Sequence, residues 1–159
     1  MPVILVEAPR HLGVGIRSAL SQDLPRIMEI ERLAFGGQWD YFQFRASMKD
    51  IFLAAWDSDN GELVGFLVAC CPKAARRGLI LRIAVHPDYQ GQGIATQLLK
   101  RSFWELKKQD LDEVELDVEI IKAGALQLYE KMGFKIVETC SPDFEEDETF
   151  FIMRKKLDS

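Results

Sequence analysis

Cysteine and histidine are scarce: three cysteines, Cys70, Cys71 and Cys140, and two histidines in 159 residues. The cysteines are odd in number and lack CxxC spacing, so neither a disulfide framework nor a zinc site is expected, and no metal is assigned. Such usage fits a reducing cytoplasm. No apolar run approaches the roughly 20 residues that span a bilayer. The opening Met1–Glu7 has no basic region before its short apolar run, so no signal peptide and no membrane partner are expected. Positive charge is also short. Lys+Arg is 20 and Asp+Glu 25, a net charge of −5. With no global field for polyanions, nucleic acid is not an expected partner without a local basic face. Internal repeats, low-complexity tracts and linkers are missing too. What remains, 48% hydrophobic and 28% charged residues, describes one soluble globular domain able to bury a core. Both monomer and homodimer stay open.

Residues 1–14 have no period and contain Pro2, Pro9 and Gly13. They read as an N-terminal extension to a domain over 15–159. A strand is expected over 15–20. Ser21-Gln22-Asp23-Leu24-Pro25 reads as a helix start with a Ser cap, followed by Leu24, Ile27, Met28, Ile30 and Leu33 at helical spacing. Gly36-Gly37 ends that helix, and 38–49 is aromatic and irregular or weakly helical. Strands over 51–56 and 63–71 flank the hairpin signal Asp59-Asn60-Gly61. After a basic loop, 79–85 is nearly continuous apolar, as in a strand buried on both faces. A helix over 93–108 and an alternating strand over 113–118 follow, which makes a crossover unit with parallel strands. A second helix, 123–132, shows Ala125, Leu128, Tyr129 and Met132 on one face and ends at Gly133. Strands over 134–139 and 149–154 are joined by an acidic turn with Asp143, Glu145, Glu146, Asp147 and Glu148. The expected fold is α+β: a twisted, mixed, mostly antiparallel sheet of six to seven strands with one parallel pair and helices on both faces.

The chemistry-bearing stretch is Gln90-Gly91-Gln92-Gly93-Ile94-Ala95-Thr96. It leaves a buried strand and opens a helix. Glycines let the main chain approach a ligand, and the first N–H groups of a helix lack partners and carry partial positive charge. The stretch is either an anion site, most naturally for phosphate, or a tight turn without a ligand. A Walker A loop needs a lysine after Gly93, and none is there. A dinucleotide fingerprint fails at Thr96, although Asp117 stands where a ribose-binding acid would. Against that reading, only about 40 residues follow the second strand, too few for the βαβ units of a dinucleotide fold.

Ile83-Ala84-Val85-His86-Pro87-Asp88-Tyr89-Gln90-Gly91-Gln92-Gly93-Ile94-Ala95, followed by Leu98-Leu99, resembles the acetyl-CoA-binding motif of the GNAT acetyltransferase superfamily. Ala125-Leu126-Gln127-Leu128-Tyr129-Glu130-Lys131-Met132-Gly133-Phe134 resembles that family's second motif. The two stand in the family's order and spacing. The likeness covers about Gly15 to Lys156, and it is greatest to the branch that acetylates protein N-terminal amines, typified by the ribosomal-protein-alanine acetyltransferases. Phe35-Gly36-Gly37-Gln38-Trp39 adds to that likeness.

The resemblance implies transfer of acetyl from acetyl-CoA to a primary amine by direct attack in a ternary complex. The leading acceptor is a protein N-terminal amine. A small-molecule amine, or a CoA-binding regulatory module without turnover, is the alternative. It implies that Ile83, Ala84 and Val85 line the pantetheine arm, that two parallel strands splay around it, and that main-chain N–H groups from Gln90 and Gly91 to Thr96 cradle the pyrophosphate. The Val85 N–H would polarise the thioester carbonyl. Tyr129 would protonate the departing thiolate, although its helical face alone reads as core. Asp117 stands where the branch carries a glutamate, and is either the general base or an ion-pair partner of Arg82 on the adjacent strand. The acid many members carry before the glycine loop is replaced by Leu81, and a frequent asparagine by Lys122, expected in solvent. Trp39, Tyr41, Phe42 and Phe44 either wall the acceptor site or form a satellite core. Cys70 and Cys71 read as buried thiols, not nucleophiles.

Overall fold

The computed structural model describes residues 13–72, 74–141 and 149–157. Most of the N-terminal extension and the acidic turn lie outside them. The elements are β1 (Val14–Ser18), α1 (Leu24–Phe35), α2 (Tyr41–Ala46), β2 (Ile51–Asp57), β3 (Leu63–Cys70), β4 (Gly78–Val85), α3 (Ile94–Lys107), β5 (Glu113–Glu119), α4 (Ala123–Lys131), β6 (Lys135–Cys140) and β7 (Phe150–Lys156). The seven strands form one mixed sheet in the order β1-β2-β3-β4-β5-β7-β6. β4 and β5 run parallel, whereas β1/β2, β2/β3, β5/β7 and β6/β7 are antiparallel. This is the α+β architecture expected from the sequence.

The chain divides into two compact units: the described residues up to Ala69 with Arg82–Ser102, and Cys70–Leu81 with Phe103 onward. In the first, Leu24, Ile27 and Ile30 of α1 bury one stripe against Phe52, Phe66 and Val68 of β2 and β3. Phe44 of α2 is fully buried with its ring 5.1 Å from Trp39, 6.0 Å from Phe52 and 5.4 Å from Phe66. The opposite face of β3 meets α3 so closely that a Cβ on Gly65 would lie 3.1 Å from the Ala84 carbonyl oxygen and 3.4 Å from Ile94 and Leu98. Covered on both faces, β3 is buried from Leu63 to Ala69.

Several local expectations are corrected. Ser21 does not cap α1. It begins a 3₁₀ turn, Ser21–Asp23, and Pro25 in the first helical turn sets the start at Leu24. Asp23 instead accepts the Leu20 N–H at 2.8 Å and both terminal nitrogens of Arg17 at 2.7 and 3.0 Å. Leu33 is 41% exposed, and Glu31 occupies the buried stripe in its place. The strand expected to be buried on both faces is not uniformly so, since Leu81 is 42% exposed. Within the second unit the β4/β5 ladder comprises Gly78↔Val114 and Leu79↔Glu115, so Leu81 lies past it.

In the second unit, Val114, Leu116 and Val118 of β5 are buried and alternate with Glu113, Glu115, Asp117 and Glu119 on the other face. Arg77 bonds Glu113 at 3.1 Å and Arg154 bonds Glu115 at 2.8 Å on that polar face. Phe103 of α3 and Tyr129 of α4 pack on Phe134, with ring centres 5.9 and 5.8 Å away. Cys70 and Cys71 are half-buried, not fully buried as expected, because they lie at and just past the end of β3, where cover thins.

Candidate active site

In the first unit, β4 delivers the chain to a short turn, Pro87–Tyr89, that holds the glycine loop. Nδ1 of His86 accepts the Asp88 N–H at 3.0 Å, the Tyr89 N–H donates to the His86 carbonyl at 2.9 Å, and Asn60 of the β2–β3 hairpin donates to the Tyr89 hydroxyl at 3.2 Å. The Gln90 side chain turns back and donates to the Val85 carbonyl at 3.2 Å. Gly91 and Gly93 take φ of +79° and +81°, a left-handed conformation that other residues adopt only under strain. Both glycines are exposed, Gln92 is half-buried, and Ile94 is buried under the loop. The helical ladder begins with the Gln97 N–H on the Gly93 carbonyl at 3.1 Å. The N–H groups of Ile94, Ala95 and Thr96 therefore precede it, the arrangement that suits a phosphate oxyanion. Ala84 and Val85 are buried and Ile83 half-buried at the end of β4.

In the second unit, Tyr129 is the buried residue of α4, 8% exposed. Burial first, and the negative charge of Asp117 second, push its hydroxyl up to about 12. At neutral pH it holds its proton. Asp117 itself is exposed on the polar face of β5, opposite Ile152 of β7. Partial burial first, and Glu138 second, push the Cys140 thiol up. Lys122, before α4, is exposed with Nζ 3.6 Å from Glu119.

Arg82, offered from the sequence as one possible partner of Asp117, has other partners on the first helix and the segment after it. Its guanidinium is engaged by Glu31 at 3.0 and 2.6 Å and by Gln38 at 3.1 Å. Glu31 was not singled out from the sequence, although it falls seven residues after Leu24 and four after Ile27, on the same helical stripe. The four clustered aromatics divide: Phe44 is core, Trp39 packs on it, and Tyr41 and Phe42 are 40% and 77% exposed. Among the described residues no group of three or more His, Cys, Asp or Glu could hold a metal ion, and no helix is long and apolar enough to cross a membrane.

Comparison with known proteins agrees with this geometry. The family model for the acetyltransferase (GNAT) domain matches residues 49–136, over half of the chain. The [ribosomal protein bS18]-alanine N-acetyltransferase of Escherichia coli is 31% identical over 119 residues, covering 75% of this chain and 79% of that protein. An N-alpha-acetyltransferase of Sulfurisphaera tokodaii is 29% identical over 163 residues, covering 95% and 98%. The crystal structure of the ribosomal-protein-S18-alanine N-acetyltransferase from Escherichia coli superposes with a TM-score of 0.79 at 26% identity, over 92% of this chain and 95% of that one. The order of the strands, the left-handed glycine loop opening α3 and these likenesses agree: the chain belongs to the GNAT family of N-acetyltransferases.

Proposed function

We propose that this chain transfers the acetyl group of acetyl-CoA to the N-terminal α-amine of proteins, within residues 15–159 and in the cytoplasm. The reading is carried by relatives that share three quarters or more of the chain, among them one named for acetylation of α-amines and one for that of the alanine of a ribosomal protein. Three cysteines without CxxC spacing suit a reducing compartment.

The residues present fit the cofactor. Exposed glycines with positive φ leave room for a pyrophosphate beside the N–H groups of Gly91 to Thr96. No side chain stands within 4 Å of the place a Cβ on Gly91 would take. Acetyl-CoA supplies an activated thioester. The main chain of Ile83, Ala84 and Val85 binds the cofactor arm as an added strand, and the Val85 N–H polarises the thioester carbonyl. An attacking amine must lose its proton, because an ammonium has no lone pair. Asp117, exposed and one methylene shorter than glutamate, accepts that proton through water. Tyr129 gives its own proton to the departing sulfur, and burial keeps that proton available at working pH.

The test is turnover of acetyl-CoA with a panel of peptides differing in their first residue, with small amines alongside, and with mass-spectrometric location of the acetyl group. Acetyl on the peptide α-amine is the expected result. Acetyl only on small amines moves the acceptor to that class. Acetyl-CoA at about a hundredfold excess over Kd should add about 2.7 kcal/mol of native-state stability. A melting shift with acetyl-CoA but no turnover of any amine would mean a binding module.

A further inference from the structure

The glycine loop before α3 is held from its two ends. On the C-terminal side the helix holds it: Ile94 is buried, and the Gln97 N–H closes the first turn on the Gly93 carbonyl at 3.1 Å. The loop residues themselves add little. Gly91 and Gly93 take φ of +79° and +81°, and a Cβ placed on Gly91 would meet nothing within 4 Å. Glycine loses more freedom on ordering than any other residue. What fixes the N-terminal side of the loop therefore lies before it.

The fixing contacts come from the β2–β3 hairpin. The main-chain N–H of His86 donates to the Val64 carbonyl at 2.8 Å, and Nδ2 of Asn60 donates to the Tyr89 hydroxyl at 3.2 Å. Between these two ties the Tyr89 N–H returns to the His86 carbonyl at 2.9 Å, and the two rings meet edge to face with centres 5.9 Å apart. The segment 86–89 is thus bound at both ends to one hairpin, and Gly91 follows shortly after. The hairpin is cross-bonded in its own right. The Asp57 N–H donates to the Glu62 carbonyl at 2.8 Å and the Gly61 N–H to the Asp57 carbonyl at 2.7 Å. Asn60 stands at the tip with both ends of its amide engaged. Its Oδ1 accepts the Glu62 N–H at 2.9 Å. A main-chain N–H can only donate, so the oxygen belongs there and the NH₂ group faces Tyr89. Asp59-Asn60-Gly61 turns without help from outside. The bond to Tyr89, 29 residues away in the chain, is therefore additional to the hairpin's own needs.

We propose that Asn60 and Tyr89 are positioning residues: through their hydrogen bond, the tip of the β2–β3 hairpin holds the N-terminal side of the glycine loop in the conformation that receives the cofactor's pyrophosphate. The proposal rests on the reading of that loop as the acetyl-CoA site. A loop held ready loses less freedom when its ligand arrives, so the bond sets affinity for acetyl-CoA and not for the acceptor. By linkage, acetyl-CoA bound at the loop tightens the hairpin in return.

The decisive variant is Tyr89→Phe, which keeps the ring against His86 and deletes the hydroxyl, beside Asn60→Ala and the double substitution. Tyr89→Phe should raise the calorimetric Kd for acetyl-CoA about fivefold, the scale of one lost hydrogen bond, with acceptor KM and kcat at saturating acetyl-CoA unchanged. Asn60→Ala should raise Kd similarly. The double variant should be no weaker than the weaker single one, because both substitutions remove the same bond. A wild-type Kd in Tyr89→Phe would make the contact merely structural and overturn the proposal, as would effects that add in the double variant. Hydrogen exchange gives a second readout. Saturating acetyl-CoA should slow exchange at the Glu62 amide in wild type but not in Tyr89→Phe. Slowing in both proteins, or in neither, would overturn the coupling of hairpin to loop. Should Asn60→Ala not fold, Tyr89→Phe carries the Kd and exchange readouts alone. If wild type binds no acetyl-CoA, or Gly93→Glu binds it as wild type does, the reading of the loop falls and the proposal with it. If Gly93→Glu loses binding while Tyr89→Phe keeps the wild-type Kd, the proposal alone falls.

Discussion

The glycine loop that opens α3 and the helix α4 offer their chemistry through different parts of the chain. In the proposed reading the loop works with main-chain N–H groups. Its side chains are absent at Gly91 and Gly93, and that of Gln90 is turned inward onto the Val85 carbonyl. Helix α4 offers a single buried side chain, Tyr129, whose hydroxyl burial keeps protonated. A main-chain site tolerates many side chains but fails when the backbone cannot reach its φ. A side-chain site tolerates neighbouring changes but depends on one functional group.

The largest effect should come from the loop. Gly93→Glu forces a Cβ onto a φ of +81° and sets a negative charge among the helix N–H groups. It should abolish the melting shift with acetyl-CoA and lower kcat/KM by about a thousandfold or more, whereas Gln92→Ala should change little. Steady-state kinetics and melting curves with and without acetyl-CoA check both. An unchanged shift in Gly93→Glu would remove the loop from cofactor binding.

Next comes Tyr129→Phe, which keeps the ring packed on Phe134 and deletes only the hydroxyl. General acid catalysis is typically worth about 10²–10⁴-fold, and since a thiolate already leaves fairly well the low end is expected, about a hundredfold in kcat. The pH dependence follows from the raised value. Tyr129 titrates near 12 in the native state and near 10 unfolded. Its contribution to stability is thus complete below pH 10 and is lost as pH rises toward 12. The loss is on the order of 2 kcal/mol. Denaturant titrations between pH 9 and 12 should show that loss in wild type, and a smaller one in Tyr129→Phe.

Asp117→Asn should cost less, about tenfold in kcat, because an exposed base working through water is partly replaced by solvent. Asp117→Glu should retain most activity. A pH–rate profile with an unchanged acid limb in Asp117→Asn would assign the proton to another group. The smallest effect is expected at Gly124 in α4, where a Cβ would meet nothing within 4 Å. Gly124→Ala should stabilise by about 0.5–1 kcal/mol through lower unfolded-state entropy, raising Tm by a few degrees without touching Tyr129.

Much of this was legible in order along the chain. Strand alternation in β5, the hairpin at Asp59-Asn60-Gly61, the glycine end of α1 and the Gly91–Gly93 loop depend on neighbours a few residues away, so composition and spacing reveal them. Burial was harder to read. Leu33 continues the apolar spacing of α1 but is exposed, while Glu31 on the same helix is buried. Hydrophobicity says which residues gain by burial, not which side of a helix the sheet will cover.

The sequence by itself determined the α+β order of elements and the glycine turn that opens α3, because each is written in local periodicity or in a contiguous string. Tertiary structure alone decided that Arg82 pairs with Glu31, 51 residues away in the chain. It also decided that β3, not β4, is the fully covered strand, and that the Tyr129 hydroxyl holds its proton to about 12. Desolvation and charge pairing depend on distance through space. Those distances are set by how helices and strands far apart in sequence pack together.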